Sequence, residues 1–146
     1  MKTILIPAIA FITLLACASS PSDDGKKTSN PVFAANAGDT TINFQKCEVN
    51  KQPVGFTATS TGKLQKLDWK IINDGGNKVV AQFAANKGDY YNLLVLDKPV
   101  YKNFSVSVRI KAVSGEEDQG GGLVWRYLDN KNYYIARYNP LENLLL

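Results

Sequence analysis

The chain predicts an all-β fold, an antiparallel sandwich, and three observations carry that prediction. Beyond residue 40 apolar and polar residues alternate over short runs of strand length. Turn signals such as NDGGN, ANKGD, LDKP and LDNKN separate the runs. No window carries the apolar spacing of an amphipathic helix.

The runs are Thr41 to Gln45, Gly55 to Thr59, Leu67 to Ile72, Lys78 to Ala84, Tyr91 to Leu96, Asn103 to Ala112, Gly121 to Tyr127 and Asn132 to Tyr138. The clearest is FSVSVRIKA, where Val106, Val108, Ile110 and Ala112 fall on one face and Ser105, Ser107, Arg109 and Lys111 on the other. That alternation predicts a half-buried antiparallel strand.

The N-terminus is of another kind. Residues 1–16 hold one Lys, then the apolar run ILIPAIAFITLLA. The run is too short for an ordinary membrane-spanning helix, and with the small residues after it reads as an export leader. Leu14, Leu15, Ala16 and Cys17 resemble a bacterial lipobox, which would make Cys17 a lipidated new N-terminus and the protein a membrane-anchored lipoprotein. Ala16, Cys17 and Ala18 also fit an ordinary secretory cleavage site. Either route places the protein outside the cytoplasm. Residues 17–39, rich in Ser, Asp, Lys, Asn and Ala, are expected to form a flexible tether, and residues 40–146 the folded domain.

Composition excludes several chemistries. The chain has no His, which removes Ser-His-Asp triads, Cys-His pairs and His-bearing metal sites. Once Cys17 is lipidated or removed, Cys47 has no intramolecular partner and is expected to be a buried free thiol. The formal charge of +4 is spread along the chain rather than clustered, so nucleic acid is not an expected partner.

The order LDWKIINDGGNKVVAQ, NLLVLD, NFSVSVRIKA, QGGGLVWRYLDNKNYYIARYNP resembles the concanavalin A-like lectin and glucanase superfamily. It is more closely similar to bacterial exported domains near the laminin-G-like and 3-keto-disaccharide hydrolase families. The resemblance covers residues 43–140 and implies a jelly roll that binds or processes carbohydrate. Such families continue past the Tyr-rich strand with further strands, whereas this sequence stops at LENLLL. The resemblance therefore implies a jelly roll represented by its N-terminal part.

A retaining glycosidase needs two carboxylates about 5 Å apart. The glucanase branch supplies them from an E-x-D-x-x-E strand, a pattern absent here. Glu116, Glu117 and Asp118 are consecutive, follow Ser114 and Gly115, and read as a solvated loop. Ca2+ binding is the alternative, since hard oxygen ligands in loops suit that ion, and no organic cofactor is implied.

The stretch GGGLVWRYLDNKNYYIARYNP predicts a hairpin. A symmetric turn at LDNKN sets Leu128 opposite Tyr133 and sorts the side chains by period two. Leu123, Trp125, Tyr127, Tyr134, Ala136 and Tyr138 share one face, expected to be core. Val124, Arg126, Tyr133, Ile135 and Arg137 share the other, expected to be exposed. Arg126, Tyr133 and Arg137 are the expected ligand-binding residues, since guanidinium forks engage hydroxyls and carboxylates and a Tyr ring stacks on a pyranose. Trp69 is expected to pack. The sequon Asn103, Phe104, Ser105 matters only in a eukaryotic secretory route.

The resulting expectation is a lipid-anchored or secreted module that binds carbohydrate or a cell-surface glycan without catalytic machinery of its own. The alternative is a glycoside-processing enzyme of the 3-keto-disaccharide hydrolase kind.

Overall fold

A computed structural model describes residues 6–9, 32–36, 39–63, 66–86, 90–98, 100–116 and 118–145. Among them every regular element is a strand and none is a helix: β1 (Ile6–Ile9), β2 (Val32–Asn36), β3 (Asp39–Asn43), β4 (Phe56–Ser60), β5 (Trp69–Asp74), β6 (Asn77–Gln82), β7 (Asn92–Leu96), β8 (Arg109–Ile110), β9 (Gly121–Asp129), β10 (Asn132–Asn139) and β11 (Leu144–Leu145). All pairings are antiparallel. They form four small sheets, ordered β5-β6-β1-β8, β11-β10-β9, β2-β3 and β4-β7. The fold is all-β and compatible with a sandwich.

The β5-β6 hairpin shows how sequence sets local form. Asp74 pairs with Asn77 across Gly75 and Gly76, whose φ values of 58° and 85° give the left-handed backbone a tight two-residue hairpin turn requires. From that turn Ile71 pairs with Val80, and Val79, Val80, Ala81 and Gln82 are all buried. A strand covered on both faces loses the simple alternation of a surface strand, and β6 lies between β5 and β1.

The core gathers on this sheet. Ile42 from β3, Phe44, Cys47, Phe56 from β4, Ile71 from β5 and Val80 from β6 form one buried cluster, with Trp69, Leu94 and Leu96 packed against it. The rings of Phe44 and Phe56 lie 6.0 Å apart and tilted by 50°. A loop covers the outer edge of β5: Asn50 donates to Ile71 O, and Ile71 N donates to Lys51 O. That contact answers backbone groups an edge strand otherwise leaves open. Cys47 is 1% exposed, as its lack of a partner implied, and burial pushes its thiol above the ordinary value, opposed by the nearby Lys78 ammonium.

Several expectations are corrected. The expected strand over Asn103 to Ala112 is regular at Arg109–Ile110 alone, where β8 pairs with β1. Val106 and Val108 stay half-buried, but Ile110 and Ala112 are exposed. Alternation specifies faces, while a strand also needs a neighbour along its whole length, and here β1 offers one for two residues. Val32–Asn36, within the expected tether, is a strand paired with β3 from Val32↔Asn43 to Asn36↔Asp39. Ile6–Ile9, within the expected leader, is paired on both sides, with β6 and β8. Cys17, the expected lipidation site, lies outside the described residues.

Candidate functional site

The β9-β10 hairpin carries the residues singled out from sequence. Its turn forms as expected at the tip, with Asp129 opposite Asn132. The Asp129 carboxylate accepts from Lys131 N at 2.7 Å and Asn132 N at 2.9 Å, and the Asn132 amide donates to both of its oxygens at 2.9 Å. The backbone N–H of Lys131 and then the Asn132 amide hold the carboxyl below its ordinary value.

The ladder then shifts. Tyr134 pairs with Trp125, so Arg126, Tyr127 and Leu128 on β9 bulge against Tyr133 on β10. Arg126 adopts a φ of 49°, a left-handed backbone that costs a non-glycine residue about 1–2 kcal/mol. Beyond the bulge Ile135, Ala136, Arg137 and Tyr138 face Val124, Leu123, Gly122 and Gly121. Gly122 admits this approach because a β-carbon there would collide with the carbonyl oxygen of Ala136.

On β10 the two faces are the reverse of the expected ones, while on β9 Leu123, Trp125 and Tyr127 are half-buried and Arg126 is exposed as expected. Arg137 is 8% exposed and Asn139 2%, with Tyr133 and Ile135 half-buried beside them. Tyr134 and Tyr138, expected to be core, are 56% and 45% exposed. The physical reason is the partner Arg137 finds. Its Nη2 donates to Asp118 Oδ2 at 2.5 Å, its Nη1 to the Tyr91 hydroxyl at 3.3 Å, and its guanidinium carbon lies 5.0 Å from the Tyr91 ring centroid. A cation so provided for can sit inside, while tyrosines tolerate the outside by keeping their hydroxyls wet.

Arg137 therefore belongs to an interior cleft of about 500 Å³ between the hairpin and the β4-β7 and β5-β6 strands. Phe44, Phe56, Trp69, Tyr91, Tyr101 and Trp125 give the cleft an aromatic wall; Gln82, Asn86 and Asp118 are among its polar members. Trp69 lines it as a half-buried packing residue whose indole N–H is buried without an acceptor, and the Asn139 amide nitrogen is in the same condition. Tyr133 stands near this face, its ring 6.4 Å from that of Tyr127. Burial raises its phenol above the ordinary value, the neighbouring Tyr91 adds to the rise, and a hydrogen bond with Thr61 opposes it.

A second groove adjoins the cleft and shares Lys102, Phe104, Val106, Leu123, Trp125 and Arg126 with it. Trp125 and Tyr134 stack with centroids 5.9 Å apart and planes 21° apart, and the Arg126 guanidinium lies 5.7 Å from the Tyr134 ring. This shallow groove runs beside Trp125, flanked by Lys102, Asn103, Phe104 and Val106 and floored by Leu123 and Ala136. Arg126 and Arg137 both line the larger cleft, Arg126 exposed and Arg137 buried, whereas Tyr133 is not among its lining residues. Phe104, Lys102 and Asn103 were not legible as site residues, because the strand alternation in that segment pointed to structure alone.

Asp118, expected in a solvated loop, is half-buried, held by Arg137 and by the backbone N–H of Gly120. Glu116 is exposed, and Glu117 lies outside the described residues. No cluster of three or more metal-ligating side chains occurs among the described residues. Comparison with protein-family models, with curated sequences and with solved structures finds no match to this chain.

Proposed function

We propose that the chain is an exported, non-catalytic carbohydrate-binding module on a jelly-roll β-sandwich, whose site is the groove along Trp125. The stack of half-buried Trp125 with exposed Tyr134 carries this reading. A flat apolar ring offers the C–H face of a pyranose a surface, and flanking N–H donors supply the hydrogen bonds its hydroxyls need. Arg126, Lys102 and Asn103 are such donors on the groove rim. Arg137 and Tyr133, expected as ligand contacts, act in this reading as supports that fix the hairpin from its inner side.

Asp118 is the one carboxylate among the described residues lining the interior cleft, and it is committed to Arg137. A pair of carboxylates placed for acid and base roles is what glycoside hydrolysis ordinarily requires, which supports binding over turnover. The test is a glycan array followed by calorimetry on the hits. Binding that weakens about tenfold or more in Trp125→Ala, with no product released, is the expected result. Turnover of any bound sugar overturns the reading.

A further inference from the structure

We propose that the sugar taken by the Trp125 groove is acidic, a hexuronate whose carboxylate is held between Arg126 and Lys102. This inference rests on the carbohydrate reading and names the ligand class within it. The groove presents two cations and no carboxylate among its described lining residues. Lys70, Lys111 and Arg137 each have a carboxylate partner at 2.9 Å or less. Neither Arg126 nor Lys102 has one among the described residues, and Asp118, the described carboxylate of the adjoining cleft, is paired with Arg137.

The state of Arg126 adds a second, independent observation. Its one described contact is with the face of Tyr134, which engages the guanidinium's charge and leaves its N–H donors available. A planar fork of that kind matches a carboxylate through two parallel hydrogen bonds. Its backbone is held in the left-handed region at φ 49°, in the bulge that sets the register of Trp125 with Tyr134. Bulges re-aim side chains beside binding sites, and strain kept at such a place is a pointer to use. A pyranose ring on Trp125 would carry its C6 carboxylate past the ring edge, and Arg126 and Lys102 line the same groove as Trp125. Asn103 in that groove supplies an amide for a ring hydroxyl.

The test uses the full chain and matched pairs of oligosaccharides: galacturonate, glucuronate and mannuronate oligomers, each beside its neutral hexose counterpart. Affinities are measured by calorimetry at low salt and at about 0.5 M salt. At least one acidic oligomer is expected to bind about tenfold or more tighter than its neutral counterpart, with the preference shrinking at high salt. Arg126→Gln with Lys102→Gln should bring the pair to within about twofold of each other, and Arg126→Lys should restore part of the preference. Equal binding of acidic and neutral members, or a preference that survives the double substitution, overturns the inference and leaves the carbohydrate reading standing. Binding of neither member of any pair overturns both.

Discussion

Arg137 meets Asp118 at 2.5 Å and stands 5.0 Å from the ring of Tyr91, so one buried cation joins the approach to β9, the end of β10 and the entry to β7. The Arg137 side chain is 9% exposed and that of Asp118 41%. Removing the cation leaves a carboxylate that water can still reach, so the loss should fall below the 3–5 kcal/mol of a fully buried pair. Arg137→Met should cost about 1–3 kcal/mol in urea unfolding. Arg137→Lys should recover little, since an ammonium cannot fork to Asp118 and Tyr91 together. A shift smaller than about 0.5 kcal/mol for Arg137→Met would show the pair to be ornamental.

Gly122 is where β9 and β10 touch most closely. A β-carbon there meets backbone, the Ala136 carbonyl and Arg137 Cα, rather than the free end of a side chain. Gly122→Ala should therefore cost about 2–3 kcal/mol or more, with loss of amide-exchange protection across the hairpin. Gly75→Ala makes a useful contrast. No atom crowds its β-carbon, and its cost should come from the left-handed φ of 58° alone, about 1 kcal/mol.

The raised phenol of Tyr133 sets an alkaline limit. A group whose folded value lies above its unfolded one contributes stability that is whole below the unfolded value. For tyrosine that value is about 10, and the contribution disappears as pH climbs through the higher folded one. Urea midpoints should stay level to about pH 9 and fall beyond about pH 10. Tyr133→Phe should flatten that fall, though it also removes the bond with Thr61. An equally steep alkaline fall in the variant would assign the effect to another group.

Cys47 should be unreactive in the folded chain. It is 1% exposed, and burial keeps its thiol protonated at neutral pH. In a Cys17→Ala chain, thiol-specific dye should label Cys47 at the rate of global opening and at once in denaturant. Rapid labelling without denaturant would place the residue outside the core.

The strands most legible in the sequence were those whose turns carry their own chemistry. NDGGN placed β5 against β6 because two glycines satisfy a specific hairpin, and the run IINDGGNKVV fixes register locally. FSVSVRIKA was misread because its alternation is equally compatible with a half-covered irregular segment; no local signal tells whether a neighbour runs alongside. The hairpin faces failed for a related reason. Period two sorts the side chains of β10 into sets without saying which set turns inward, hydrophobicity favoured the aromatic set, and the bulge at Arg126 breaks the sorting on β9. Asp118, nineteen positions before Arg137 in sequence, reversed that choice by giving the cation a partner. Sequence pattern had set Asp118 in a loop and left its reach unspecified. The left-handed Arg126 had no sequence signal at all, since arginine is not a residue that advertises such a backbone.

Residues 6–9 occupy the space between β6 and β8, paired with strands from the far side of the sequence. Contacts of such long separation close late in folding. A segment read as an export leader can be handed to a secretion apparatus only while it is still unclaimed by those strands. Were these four residues also to serve as an export leader, address and architecture would compete for them, and the speed at which β6 and β8 assemble would decide which role they take.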